Sequence, residues 1–232
     1  MDFTLTQTQK EYQEKARRLA VERLAPKYKE REKRGSVEKE LQIEMGMLGL
    51  IAPEIPEDLG GRGLDCVTAG IVVEEIARGD FNVSYVQIVG SLVGQILSGY
   101  ARPEVTAEWV PKICSGEEIV GIGLSEPQAG SDAGMPRLQA RHEGHGYVLN
   151  GQKSLSFCDQ AGAAVVFART SAEEVRARGI SAFLVPLDAP GVRHERFEDM
   201  GTVAVGRGVV HFEDVRIPEN HLLARRGKGS RR

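Results

Sequence analysis

Apolar positions in the first half of the chain recur at helical spacing, and beyond Glu118 they recur at every second residue. Thr6-Gln7-Thr8-Gln9 has the form of a capping box, and Tyr12, Ala16, Leu19, Val21 and Leu24 recur at roughly helical spacing, predicting an amphipathic helix that frays near Gly35. Ser36 opens a short second helix through Leu41 and Met45, ended by the breakers Gly46 and Gly49. The stretch from Leu50 to Leu64 holds too many Pro and Gly for regular structure and predicts an ordered loop. Asp65 can cap a third helix through Val67, Ile71, Val72, Ile76 and Ala77, and Phe81 to Tyr100 is apolar nearly all round, as in a buried helix. Pro103 suits the first turn of a fifth helix that carries Trp109 and closes near Gly116. Ile119–Ile122, Ala163–Ala168, Ile180–Val185 and Val209–Phe212 then read as strands between Gly-rich turns. The expected fold class is α+β: an all-α domain at 1–118, an antiparallel β domain at 119–223 and a basic tail at 224–232.

A length of 232 residues is comfortable for two domains with a sizeable core. Charge is nearly balanced, 30 Lys and Arg against 33 Asp and Glu, which argues against nucleic acid as the main partner. Cys66, Cys114 and Cys158 are odd in number and widely spaced, so neither a disulfide framework nor a zinc site is indicated, and a reducing, cytoplasmic compartment fits. The polar start Met1-Asp2-Phe3-Thr4 lacks the apolar core of a signal peptide or membrane span. His142, His145, His194, His211 and His221 show no helical pairing with a carboxylate and predict surface or turn positions; no metal is expected. Glu30, Glu32, Glu38 and Glu40 predict a solvated helix face.

The strongest candidate chemistry lies in Gly123-Leu124-Ser125-Glu126-Pro127-Gln128-Ala129-Gly130-Ser131-Asp132-Ala133-Gly134. Glycines here would let backbone N–H groups and serine hydroxyls approach a phosphate or a flat polar ring, because no Cβ stands in the way. A plain Gly/Ser turn capped by Asp132 is the alternative reading.

The whole string, G-L-S-E-P-x-x-G-S-D-x-x-G, resembles the flavin-binding signature of the acyl-CoA dehydrogenase family. Further matches follow in the family's order: Gly49-Leu50-Ile51 with Ile55 to Leu64, Glu74-Glu75-Ile76-Ala77, Pro111 to Glu117, Leu149-Asn150-Gly151-Gln152-Lys153, and Phe212 to Pro218. The resemblance runs from about Phe3 to Leu223 and implies a β-barrel-like form for the second domain. It implies FAD as cofactor, an acyl-CoA as substrate, electron-transfer flavoprotein as electron acceptor and a homo-oligomer in the full-length form. By the same resemblance Ile122, Gly123, Leu124, Ser125, Gly130, Ser131, Leu155 and Ser156 line the cofactor, and Ser131 also touches the CoA portion of the substrate. On the strand after Leu149 to Lys153 the family usually has a Trp, an aliphatic residue and a Thr or Ser, and an ungapped register sets Leu155, Ser156 and Phe157 there. A register slid by one residue sets Ser154, Leu155 and Ser156, restores the hydroxyl and is preferred, because it resembles the S-I-S of dehydrogenases acting on alicyclic esters such as cyclohexanecarboxyl-CoA. The implied reaction is α,β-dehydrogenation, with a flavin monooxygenase of the same fold and a non-catalytic remnant as rivals.

The family's catalytic base belongs to a helical bundle that this sequence does not reach, so no catalytic residue is assigned, and a truncated form with little activity alone is expected. Apolar residues of the 81–100 helix left wet by that loss would each forfeit about 1.5–3 kcal/mol. After Leu223 the family pattern G-x-x-G-x-G-F gives way to Ala224 through Arg232. A one-frame rereading of plausible codons restores Gly-Glu-Glu-Gly-Gln-Gly-Phe, so a frameshift is one account of the tail and a functional basic patch the other.

Overall fold

The computed structural model describes residues 4–171 and 176–223. The tail at 224–232 and the start at 1–3 lie outside the described residues. The chain divides into two compact units, one of Met1–Gln95, Glu108–Glu118 and Asp199–Val205, the other of Ile96–Ala107, Ile119–Glu198 and Gly206–Arg232.

In the first unit the capping box forms as expected: Gln9 N donates to Thr6 Oγ1 at 3.2 Å and Thr6 N donates to Gln9 Oε1 at 2.9 Å. Helix α1 (Gln7–Leu19) passes through a π turn, Ala20–Leu24, and a 3-10 turn that absorbs Pro26, before α2 (Tyr28–Arg34) ends at a left-handed Gly35. One continuous helix is thus broken where Pro26 removes a backbone donor. Helix α3 (Lys39–Met47) runs through Gly46 instead of stopping there. That glycine serves packing, since a Cβ on it would lie 2.1 Å from Ser115 O; the chain turns at Gly49, φ 68°. Asp65 caps α4 (Cys66–Gly79) by accepting from Thr68 N at 2.8 Å. The loop from Leu50 to Leu64 is irregular apart from one 3-10 turn, Glu57–Leu59.

Helix α5 (Phe81–Tyr100) has the expected limits but is not buried all round. Val83, Val86, Val93 and Leu97 are buried, whereas Phe81, Ile88, Leu92 and Tyr100 are between 42 and 51% exposed. Those four, with half-buried Tyr85, leave an apolar stripe open along the helix. Helix α6 is Pro103–Ser115. The acidic run is not uniformly solvated either. Glu38 pairs with Arg31 and Arg34, and Glu32 accepts from Asn82 Nδ2 and from the N–H groups of Val203 and Ala204.

The second unit holds a sheet of β1 (Val120–Gly123), β2 (Gln139–Glu143), β3 (Gly146–Leu155), β4 (Ala163–Arg169), β5 (Ile180–Pro186), β6 (Val192–Arg196), β7 (Gly208–Pro218) and β8 (Leu222–Leu223). The order is β6-β7-β3-β2-β4-β5-β8, with β1 beside β4. Pairing is antiparallel except for β1 with β4 and a single parallel pair between β2 and β4. Strands β4 and β5 are buried almost throughout, which is why their continuous apolar runs were legible. The polar β2 and β6 carry no such pattern and were missed. No helical bundle follows the sheet among the described residues.

Candidate functional site

Strand β1 runs parallel to β4, Val120 through Gly123 facing Ala163 through Val166, and the Gly/Ser loop leaves its end. Small residues are needed where it passes β3: a Cβ at Gly121 would sit 3.1 Å from Leu155 Cδ2, and one at Gly123 would sit 3.3 Å from Lys153 Cβ. Ser154 N donates to Ser125 O at 2.9 Å. Glu126 and Ala129 exchange two backbone hydrogen bonds of 3.0 Å, closing the turn Glu126-Pro127-Gln128-Ala129.

Two opposite charges anchor this loop. Lys153 Nζ lies 2.8 Å from Glu126 Oε1, with side-chain exposures of 0 and 2%. The ammonium also donates to Leu124 O at 3.0 Å, while the carboxylate accepts from Arg137 N at 2.7 Å, Leu138 N at 3.1 Å and Gln128 Nε2. Burial pushes the Glu126 carboxyl upward, but Lys153 and the two N–H groups outweigh it and hold the group below the usual carboxylate range. Burial draws the Lys153 ammonium below its ordinary value, opposed by Glu126. Both oxygens of Glu126 are engaged, so it is a structural anion and not a proton acceptor for a substrate.

A β-bulge lies a few residues up the strand that carries Lys153. Strands β3 and β7 pair Leu149 with Val215 but Gly151 with Phe212, so β7 carries one extra residue. Asp214 occupies the bulge at φ 49°, and its flanks alternate differently: Val210 and Phe212 are buried on one side, Val215 and Ile217 on the other. Asn150 ties the kink down, its Nδ2 donating to Asp214 Oδ1 and its Oδ1 accepting from Asp214 N, both at 3.0 Å. Without the extra residue the two ends of β7 could not both turn apolar side chains inward against β3.

Of the residues expected at the site, Gly123 is buried, Ile122 and Ser125 are half-buried and Leu124 is 39% exposed. Gly130 and Ser131 follow the turn and are exposed, and a Cβ on Gly130 would meet nothing within 4 Å. Leu155 is the buried last residue of β3. Ser156 falls in the turn after that strand, half-buried. The following Phe157 is fully buried at φ 56°, so it packs inward and offers no exposed ring to a ligand. The Ser154 bond to Ser125 thus brings Ile122 through Ser125 beside Leu155, while Gly130 and Ser131 lie beyond the closed turn.

Glu126, Lys153, Asn150 and Asp214 were present in the motif strings, but only as letters of a pattern. Opposite charges in two loop-adjacent motifs were the available signal for the buried pair. Among the described residues no group of three His, Cys, Asp or Glu is placed to hold a metal. His142 stacks edge-on against Tyr147 at 5.1 Å, and His221 Nδ1 lies 2.9 Å from Leu184 O.

The acyl-CoA dehydrogenase N-terminal domain matches residues 6–117 and the acyl-CoA dehydrogenase middle domain matches residues 121–215. The chain belongs to the acyl-CoA dehydrogenase family. The human mitochondrial short-chain specific acyl-CoA dehydrogenase is 41% identical over 190 residues, covering 80% of this chain and 46% of that protein. A solved structure described as the electron transferring flavoprotein of Acidaminococcus fermentans, with flavin-based electron bifurcation as its subject, superposes with a TM-score of 0.93. It is 32% identical and covers 99% of this chain and 61% of its own. A glutaryl-CoA dehydrogenase from Mycobacterium smegmatis in complex with FADH2 gives a TM-score of 0.88 at 28% identity, covering 96% of this chain and 57% of its own. This chain therefore spans about half the length of the curated relatives it matches. Acyl-CoA dehydrogenases are FAD-dependent oxidoreductases, and the loop has the parts such a cofactor needs. The Ser125 hydroxyl and N–H have no partner among the described residues, Leu124 offers an exposed apolar side chain, and space stands open at Gly130.

Proposed function

We propose that this chain supplies the flavin-holding part of an acyl-CoA dehydrogenase. The observation that carries the reading is the edge formed by Leu124 and Ser125, apolar face and unpaired donors together, anchored from below by Lys153 and Glu126. When bound, FAD takes up the electrons removed in α,β-dehydrogenation. Leu124 would lie against the ring, Ser125 would donate to its polar edge, and Leu155 and Ser156 would flank it across the Ser154–Ser125 bond. Gly130 would leave room for a phosphate, and Ser131, exposed beside it, would donate to both cofactor and CoA. The division into an α domain at 1–118 and a β domain at 119–223 is part of the same reading, as is a cytoplasmic setting for three free cysteines.

The substrate reading is an acyl-CoA, alicyclic on the resemblance of Ser154-Leu155-Ser156, with electron-transfer flavoprotein as acceptor and homo-oligomeric assembly. A short straight-chain ester is the second reading, favoured by the 41% identity with the human short-chain enzyme. Titration of the chain with FAD, followed by anaerobic mixing with cyclohexanecarboxyl-CoA or butyryl-CoA, tests these in turn. A spectral change with only one ester selects between them; a chain that takes up no FAD contradicts the proposal.

A further inference from the structure

We infer that Lys153 is a positioning residue: its bond to Leu124 O aims the Ser125 N–H at the ligand. The inference rests on the flavin reading above for the identity of that ligand, but its geometry is independent of it. A peptide unit is planar and trans, so its C=O and the N–H of the next residue point in opposite directions. Lys153 Nζ holds the Leu124 carbonyl at 3.0 Å from the buried side, which turns the Ser125 N–H outward. The next peptide is fixed in the same way. Ser125 O accepts from Ser154 N at 2.9 Å, and the Glu126 N–H accordingly turns to Ala129 O at 3.0 Å. Of these two N–H groups, that of Glu126 is satisfied within the loop, and that of Ser125 has no partner among the described residues.

Lys153 serves two partners at once: Nζ donates to Leu124 O and pairs with Glu126, whose other hydrogen bonds come from the Arg137 and Leu138 N–H groups and Gln128. The carboxylate therefore ties the ammonium to the 137–138 backbone, and the ammonium ties the loop to the same point. A fully buried charge pair is a costly way to hold a turn, and the exposed side of that turn carries the unpaired donor.

The test compares the wild-type chain, Thr6→Ala, which weakens the α1 cap and leaves Lys153 and Glu126 in place, and the double variant Lys153→Met/Glu126→Gln, which removes both charges together. FAD affinity, the absorption spectrum of bound flavin and the Ser125 amide cross-peak of the apo chain are measured for each, with circular dichroism as the control for folding. The double variant is expected to fold, to bind FAD at least about tenfold more weakly, the loss of one well-aimed hydrogen bond, and to shift both the flavin band and the Ser125 cross-peak. Thr6→Ala is expected to keep the wild-type FAD affinity and Ser125 cross-peak, since it touches neither Lys153 nor Leu124 O. A folded double variant with unchanged affinity and an unmoved cross-peak overturns the inference. So does a Thr6→Ala protein as impaired as the double variant, or a double variant that does not fold, because the lysine would then have no role separable from the fold. If the wild-type chain takes up no FAD, the functional reading fails, and the apo cross-peak decides the inference alone: moved supports it, unmoved overturns it.

Discussion

Each unit of the molecule buries an ion pair, and the two pairs are connected to different things. In the helical unit Arg31 bonds Asp80 and Glu38 and donates to the carbonyls of Leu24 and Arg23, and Asp80 Oδ1 accepts from Asn82 N at 2.9 Å in the first turn of α5. That pair fastens helix ends to one another, and its donors and acceptors are spent on backbone and side chains of the helical unit itself. In the sheet unit Lys153 and Glu126 are as deeply buried, but they hold a loop whose outer edge keeps an unpaired N–H and hydroxyl. Burial of charge alone does not mark a functional site; what the charge holds in place does.

The largest expected effect is on the helical side. Asp80→Ala leaves Arg31 without its main partner and removes a cap from α5, so a loss of about 3–5 kcal/mol or more is expected in chemical denaturation. Flavin uptake by whatever fraction stays folded should be unchanged, and a specific loss of uptake would erase the contrast between the pairs.

The pH dependence sharpens it further. Because the folded state holds Glu126 below the ordinary carboxylate value, its contribution is complete above the unfolded value of about 4.3 and is lost as pH falls through the lower, folded one. Glu126→Gln should therefore flatten the acid limb of a stability-versus-pH curve, measured by denaturation between neutral pH and pH 3. An unchanged limb would mean that the carboxyl is not held in its anionic form by the fold.

Smaller effects belong to the surface of the helical unit. Thr6→Ala breaks the capping box and should cost about 1 kcal/mol, visible as a lower thermal midpoint. Leu92→Ser, on the open stripe of α5, should change stability by no more than about 0.5 kcal/mol while reducing self-association in sedimentation velocity.

What the sequence revealed follows the same division between local and long-range causes. Thr6 and Asp65 were legible as caps because a cap is decided within four residues. The runs of β4 and β5 were legible because both faces are buried. Gly46 was misread as a breaker because its reason is the Ser115 backbone, distant in sequence. The open side of α5 could not be told from composition, since an apolar residue looks the same in sequence whether covered or not. At the candidate site the loop from Ile122 to Ser131 was found by pattern, but the Lys153–Glu126 pair and the Asp214 bulge depend on strand register, which periodicity does not supply. Ser156, placed on a strand by sliding the register one residue, falls instead in the turn after it.

Whether the Leu124–Ser125 edge holds a flavin is read by following FAD fluorescence as the chain is added, for wild type and Leu124→Asp. Leu124 is exposed enough for Asp to leave the thermal midpoint nearly unchanged, while placing a carboxylate against the ring. A flavin on this edge gives saturable quenching at one FAD per chain, weakened at least about tenfold in Leu124→Asp, as expected for a charge buried against an apolar surface. Absence of saturable quenching, or equal binding by the two proteins, would contradict it.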